Sequence, residues 1–126
     1  MVAAGTCTVP HRRMPFSNYG SRIDCYAWGE KVNPHHDIRI GLNGTSGATA
    51  IIAGAAIALQ AIAKAETGRP ISPGRIRAML GNPVLGTASA GGDHMGVLPD
   101  LEKILSVQFH KRQERHLHAA KLRGHK

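Results

Sequence analysis

Apolar positions along the chain fall into short blocks, and glycine, proline and polar clusters punctuate them. Val2 to Val9 is a short apolar block that predicts a strand. A polar turn, His11-Arg12-Arg13, and the turn-forming stretch Phe16-Ser17-Asn18-Tyr19-Gly20 follow it. Arg22 to Trp28 alternates well enough for a second strand, which Gly29 ends. Val32 to Leu42 reads as a loop, with a short extended piece at Ile38-Arg39-Ile40. Gly47 to Glu66 predicts a long helix: it is Ala-rich, it lacks proline, and Gly68 stands where a C-terminal cap belongs. Its apolar residues cover nearly every face as far as Leu59, which predicts a helix buried inside something larger. Ser72-Pro73 opens a second helix, with an N-cap followed by proline at the first helical position. That helix places Ile76, Met79 and Leu80 on one face and stops at Gly81. A third, shorter helix starts near Pro99-Asp100 and uses Leu101, Ile104 and Leu105, whereas Val84 to Gly96, with four glycines, reads as a loop.

Two strands, a buried helix and two amphipathic helices do not make a self-sufficient core, because an isolated strand pair is marginal in water. The pattern predicts the closing part of an α/β domain over residues 1–109, whose earlier strands are not among these residues. A basic, flexible tail is expected over 110–126.

Charge changes this picture little. The chain of 126 residues carries a net +8. From His110 onward six Lys and Arg face only Glu114, so the basicity is concentrated in the tail. Hydrophobic residues make up 42%, enough to form a core and to exclude a wholly disordered chain. Aromatics make up only 4%, and none follows Phe109, so a nucleic-acid surface with stacking platforms is not expected. Cys7 and Cys25 exclude a disulfide-dense scaffold and a Cys-x-x-Cys metal pair, and they leave the redox compartment open. The start of the chain lacks a basic, then apolar, signal pattern. The longest apolar run, Ala50 to Leu59, is about half of a membrane span, so no transmembrane segment is expected. Localisation is left open.

The chemistry gathers at Asn43-Gly44-Thr45-Ser46-Gly47-Ala48-Thr49, a loop-to-helix junction. A Ser at a helix start lies among unpaired backbone N–H groups, and the helix dipole there favours a developing oxyanion. The plain alternative is that Thr45 or Ser46 only caps the helix. The stretch from Asn43 through Ile51-Ile52-Ala53-Gly54-Ala55-Ala56 resembles the nucleophile motif of the subtilisin-like serine peptidases, Gly-Thr-Ser followed by Ala and a Val/Ile-Ala-Gly helix. Phe16-Ser17-Asn18-Tyr19-Gly20 through Trp28-Gly29 is similar to the same family's Phe-Ser-Asn-x-Gly strand and Ala-Pro-Gly turn, and Ile71-Ser72-Pro73 through Leu80 to its following helix. The likeness spans roughly residues 2 to 105 in the family's order. It departs at Trp28 and Ala50, where proline is usual, and in the short loop over Val32 to Leu42.

The resemblance implies the C-terminal portion of a three-layer α/β fold with a parallel sheet, and an endopeptidase working through a Ser acyl-enzyme without an organic cofactor. Ser46 matches the nucleophile and its N–H one oxyanion donor, while Asn43, Gly44 and Thr45 match positions beside bound peptide. The family's Asp and His precede this region, as does its oxyanion Asn; Ala4-Gly5-Thr6 sits too close to Phe16 to stand in for it. The isolated chain is therefore expected to be inactive, its partners being a peptide substrate and the missing N-terminal part. Calcium often supports this family, but no acidic cluster here assigns a site. Two other readings compete with this one. Gly44-Thr45-Ser46-Gly47-Ala48 is one residue from a Gly-x-Ser-x-Gly elbow, with Asp93, Asp100 and His110 downstream as in an α/β-hydrolase esterase. Arg12-Arg13 with the tail would be a basic nucleic-acid module. His35-His36-Asp37, Asp93-His94 and the tail histidines His110, His116, His118 and His125 read as solvated positions.

Overall fold

The computed structural model describes residues 1–32 and 43–109. The predicted extended piece at 38–40, the motif His35-His36-Asp37 and the tail 110–126 lie outside the described residues. The elements are β1 (Val2–Gly5), β2 (Cys25–Trp28), α1 (Thr45–Thr67), α2 (Pro73–Leu80), a 3₁₀ turn at Pro83–Leu85, β3 (Gly86–Ala88), β4 (Val97–Pro99) and α3 over residues 101–109. Together they make an α/β arrangement with a mixed sheet in the order β1-β2-β4-β3.

The sheet corrects the expectation in two ways. It has four strands among the described residues rather than two, and it is not purely parallel. β1 and β2 run parallel with Val2 opposite Cys25 and Gly5 opposite Trp28, and β4 continues the parallel set through Cys25 and Val97. β3 then returns antiparallel to β4, from Gly86 opposite Pro99 to Ala88 opposite Val97. The stretch 84–96 is therefore not all loop: it supplies a strand and the turn that leads into β4. β1 is also shorter than Val2 to Val9, because the chain turns away after Gly5.

Period-two alternation sorts the strand residues to two faces. Ala4, Cys25 and Ala27 join Ala48, Ile52 and Leu59 of α1, Ile76, Met79 and Leu80 of α2, and Ile104 of α3 in the main core. Ala3, Ile23, Tyr26 and Met95 form a smaller cluster on the opposite face. The helices described here thus lie on one side of the sheet. Burial raises the Tyr26 phenol to about 12, and its hydroxyl sits 2.8 Å from His11 Nδ1.

Capping follows the local chemistry. Gly68 closes α1 in the left-handed region, its N–H donating to Lys64 O at 2.8 Å. Ser72 caps α2 ahead of Pro73. Among the described residues α1 is covered on one face only. Its buried residues Ala48, Ile52, Leu59 and Ala63 make a single stripe, whereas Ile57 is 69% exposed. By length and composition alone this 23-residue helix could cross a membrane, a test that core helices of soluble proteins also pass. The ten-residue run from Ala50 to Leu59 is too short a measure of the helix that forms. An apolar groove of about 890 Å³ opens between Val2 on the outer edge of the sheet, Ile52 and Ile57 of α1, and Ile76 of α2.

Candidate functional site

Asn43, Gly44, Thr45 and Ser46 lie at the carboxyl end of the parallel pair β1–β2, where α/β sheets commonly place their ligands. Three hydrogen bonds, two of them between backbone groups, set the position of this turn. Gly29 N–H donates to Gly5 O at 2.9 Å, which carries the β1–β2 register one step past the strands. Gly44 N–H donates to Gly29 O at 2.8 Å, and Lys31 N–H donates to Asn43 Oδ1 at 2.9 Å. The approach is close enough to demand glycine. A Cβ on Gly29 would stand 2.4 Å from Ala4 Cβ and 2.9 Å from Gly44 O.

Gly44 occupies the N-cap of α1 with φ 137, a backbone conformation that side chains disfavour. No side chain closes the cap, so the reading of Thr45 or Ser46 as the cap residue does not hold. Ser46 is exposed in the first helical turn. Its neighbours are tied down: Thr49 Oγ1 donates to Thr45 O at 2.8 Å, and Gly47 packs against Val32. The arrangement presents a hydroxyl beside helix-terminal N–H groups, which can stabilise an oxyanion formed next to it.

Of the two histidines among the described residues, His11 turns its Nδ1 to the Tyr26 hydroxyl at 2.8 Å, and His94, with φ 46, accepts Gly20 N–H on its backbone carbonyl. Asp93 accepts Arg13 N–H at 2.9 Å and pairs with Arg12 at 3.1 Å, so the Asp93-His94 stretch holds the turn before β4 onto the segment after β1. Among the described residues no three His, Cys, Asp or Glu side chains gather as metal ligands.

Glu30 is a residue that sequence reasoning missed. Its carboxylate accepts the Thr6 hydroxyl, the Thr8 hydroxyl at 3.0 and 3.1 Å from its two oxygens, and Cys7 N–H at 3.1 Å. The Thr6 bond, with those of Thr8 and Cys7, lowers the carboxyl to about 2 against a smaller opposing desolvation. A Thr-x-Thr run after an apolar strand was the available signal, but nothing in the sequence linked it to position 30.

Comparison with family models, with characterised proteins and with solved structures returns no match for this chain.

Proposed function

We propose that the chain is the C-terminal portion of a subtilisin-like serine endopeptidase domain, with Ser46 as its nucleophile. One observation carries the reading: an exposed Ser in the first turn of a helix, past an uncapped Gly44, at the carboxyl edge of a parallel strand pair. In this reading Ser46 Oγ attacks the peptide carbonyl and its N–H helps hold the oxyanion, while Asn43 and Gly44 run alongside the substrate. A serine hydroxyl is a weak nucleophile until a base takes its proton. That base and its supporting carboxylate are contributed by segments other than the described residues. No organic cofactor takes part.

The test joins this chain to a segment carrying Asp-x-Gly and His-Gly motifs, then adds a fluorophosphonate and a peptide substrate. Ser46 should be labelled and peptide cleaved. Ser46→Ala should abolish both while leaving the far-ultraviolet circular dichroism unchanged. Cleavage that survives Ser46→Ala refutes the assignment. The 126-residue chain by itself should be silent in both assays, since losing the other triad members removes on the order of 10⁴ to 10⁶ in rate in the subtilisin case.

A further inference from the structure

We propose that Glu30 is a positioning residue for the Ser46 turn: its carboxylate clamps the loop after β1 to the loop after β2 and thereby holds the Lys31 backbone that anchors Asn43. The inference rests on the reading of Ser46 as the nucleophile for its purpose, but its geometry is independent of that reading.

The clamp is built from three consecutive residues. Thr6 Oγ1, Cys7 N–H and Thr8 Oγ1 all donate to one carboxylate, and Thr8 N–H adds a longer bond at 3.4 Å. Thr6 Oγ1 and Cys7 N–H converge on one oxygen of Glu30, and the Thr8 hydroxyl lies between its two oxygens at 3.0 and 3.1 Å. Among the described residues its donors are neutral and it makes no ion pair.

Strain lies next to the clamp. Lys31 has φ 53, a left-handed conformation that a lysine adopts at a cost and keeps only where its surroundings hold it. On one side stands the Glu30 clamp, and on the other Asn43 Oδ1 accepts Lys31 N–H. Gly44 N–H to Gly29 O completes a closed set of contacts around the same turn, two residues before Ser46. Releasing Glu30 frees Lys31 to leave its strained conformation, which withdraws the donor that Asn43 accepts. The Ser46 turn then loses its tether to Lys31.

Residue-resolved amide hydrogen exchange on the 126-residue chain reads this directly. In Glu30→Ala, the Lys31 and Gly44 amides should exchange about tenfold faster or more, the equivalent of a lost charge-assisted hydrogen bond. The Leu59 and Ala63 amides in the middle of α1 should stay within about twofold, as sites outside the local opening. Glu30→Gln, which keeps an accepting oxygen, should give an intermediate result. Adding Lys31→Gly to Glu30→Ala should bring Gly44 back to within about threefold of wild type, because glycine takes φ 53 unaided. Thr8→Val removes a donor with little change of shape and should act in the direction of Glu30→Ala. Unchanged Gly44 exchange in Glu30→Ala overturns the proposal, as does a uniform acceleration at Gly44, Leu59 and Ala63 in both Glu30→Ala and Thr8→Val. Failure of Ser46 as a nucleophile would leave all of these rates as they are, so the two readings fail separately.

Discussion

The same substitution, glycine to alanine, should act with opposite sign at two places in this fold. At Gly29 the new methyl would stand 2.4 Å from Ala4 Cβ and 2.9 Å from Gly44 O. Carbon atoms in contact sit about 3.5–4.0 Å apart, so Ala4 of β1 and position 29 must move apart by about 1 Å to admit it. Ala4 is wholly buried in the main core and cannot swing aside. Overpacking of this kind costs about 1–3 kcal/mol, and the absence of any flexible side chain to yield places Gly29 at the upper end. Weakening the Gly44 N–H to Gly29 O bond adds about 1 kcal/mol, while the stiffer unfolded chain returns about 0.4–1 kcal/mol. The net is a loss of about 3 kcal/mol. Gly54 lies inside α1, and no atom comes within 4 Å of where its new methyl would stand. Alanine there should stabilise by about 0.8–1.0 kcal/mol through helix propensity alone. Urea unfolding followed by the fluorescence of Trp28, at the end of β2, measures both. A Gly29→Ala variant within about 0.5 kcal/mol of wild type, the range of ordinary surface changes, would refute the close-approach argument. So would destabilisation by Gly54→Ala.

Three further outcomes are expected. The folded-state carboxyl of Glu30 lies at about 2, below its ordinary 4.5, so its stabilising effect is present above about 4.5 and disappears as pH falls toward 2. The stability difference between wild type and Glu30→Gln, measured by urea titration at a series of pH values, should therefore shrink over that window, and a constant difference down to about pH 2 would contradict it. Cys7 is exposed, whereas burial pushes the Cys25 thiol up, so a disulfide reagent should modify one thiol in the native chain and the second only in denaturant. Deleting residues 110–126 should change stability by no more than about 0.5 kcal/mol, and a loss of several kcal/mol would show that the tail docks on the body.

The two longer helices were legible because their signals are local. Ser72-Pro73 and Gly68 mark ends through the chemistry of one or two residues, and the structure uses each as a cap. β1 and β2 were legible as strands, but the end of β1 was not. Val9 continues an apolar block in the sequence, yet the chain turns back after Gly5, with Thr6 N–H bonded to Arg12 O and Thr6 to Thr8 held on the Glu30 carboxylate. β3 and β4 gave no local signal: Gly86-Thr87-Ala88 and Val97-Leu98-Pro99 are three residues each, and their pairing is what makes them strands. For the candidate site, Asn43 to Ser46 stood out as a contiguous motif. The tethers from Gly29, Lys31 and Glu30 did not, because they join residues that are far apart in the sequence.

Placing β4 between β2 and β3 dictates the order in which the sheet can be assembled. During synthesis β1, β2 and α1 leave the ribosome well before Val97, the residue that closes the Cys25 edge of β2. At about 5–20 residues per second, that edge stays open for on the order of several seconds. Throughout the interval an unpaired strand edge is available to other nascent chains. Refolding from denaturant meets the same obstacle, since the β2–β4 pairing is non-local and its loop must close before any contact rewards it. In either setting the Cys25 edge of β2 is closed only when Val97 arrives, near the far end of the described residues.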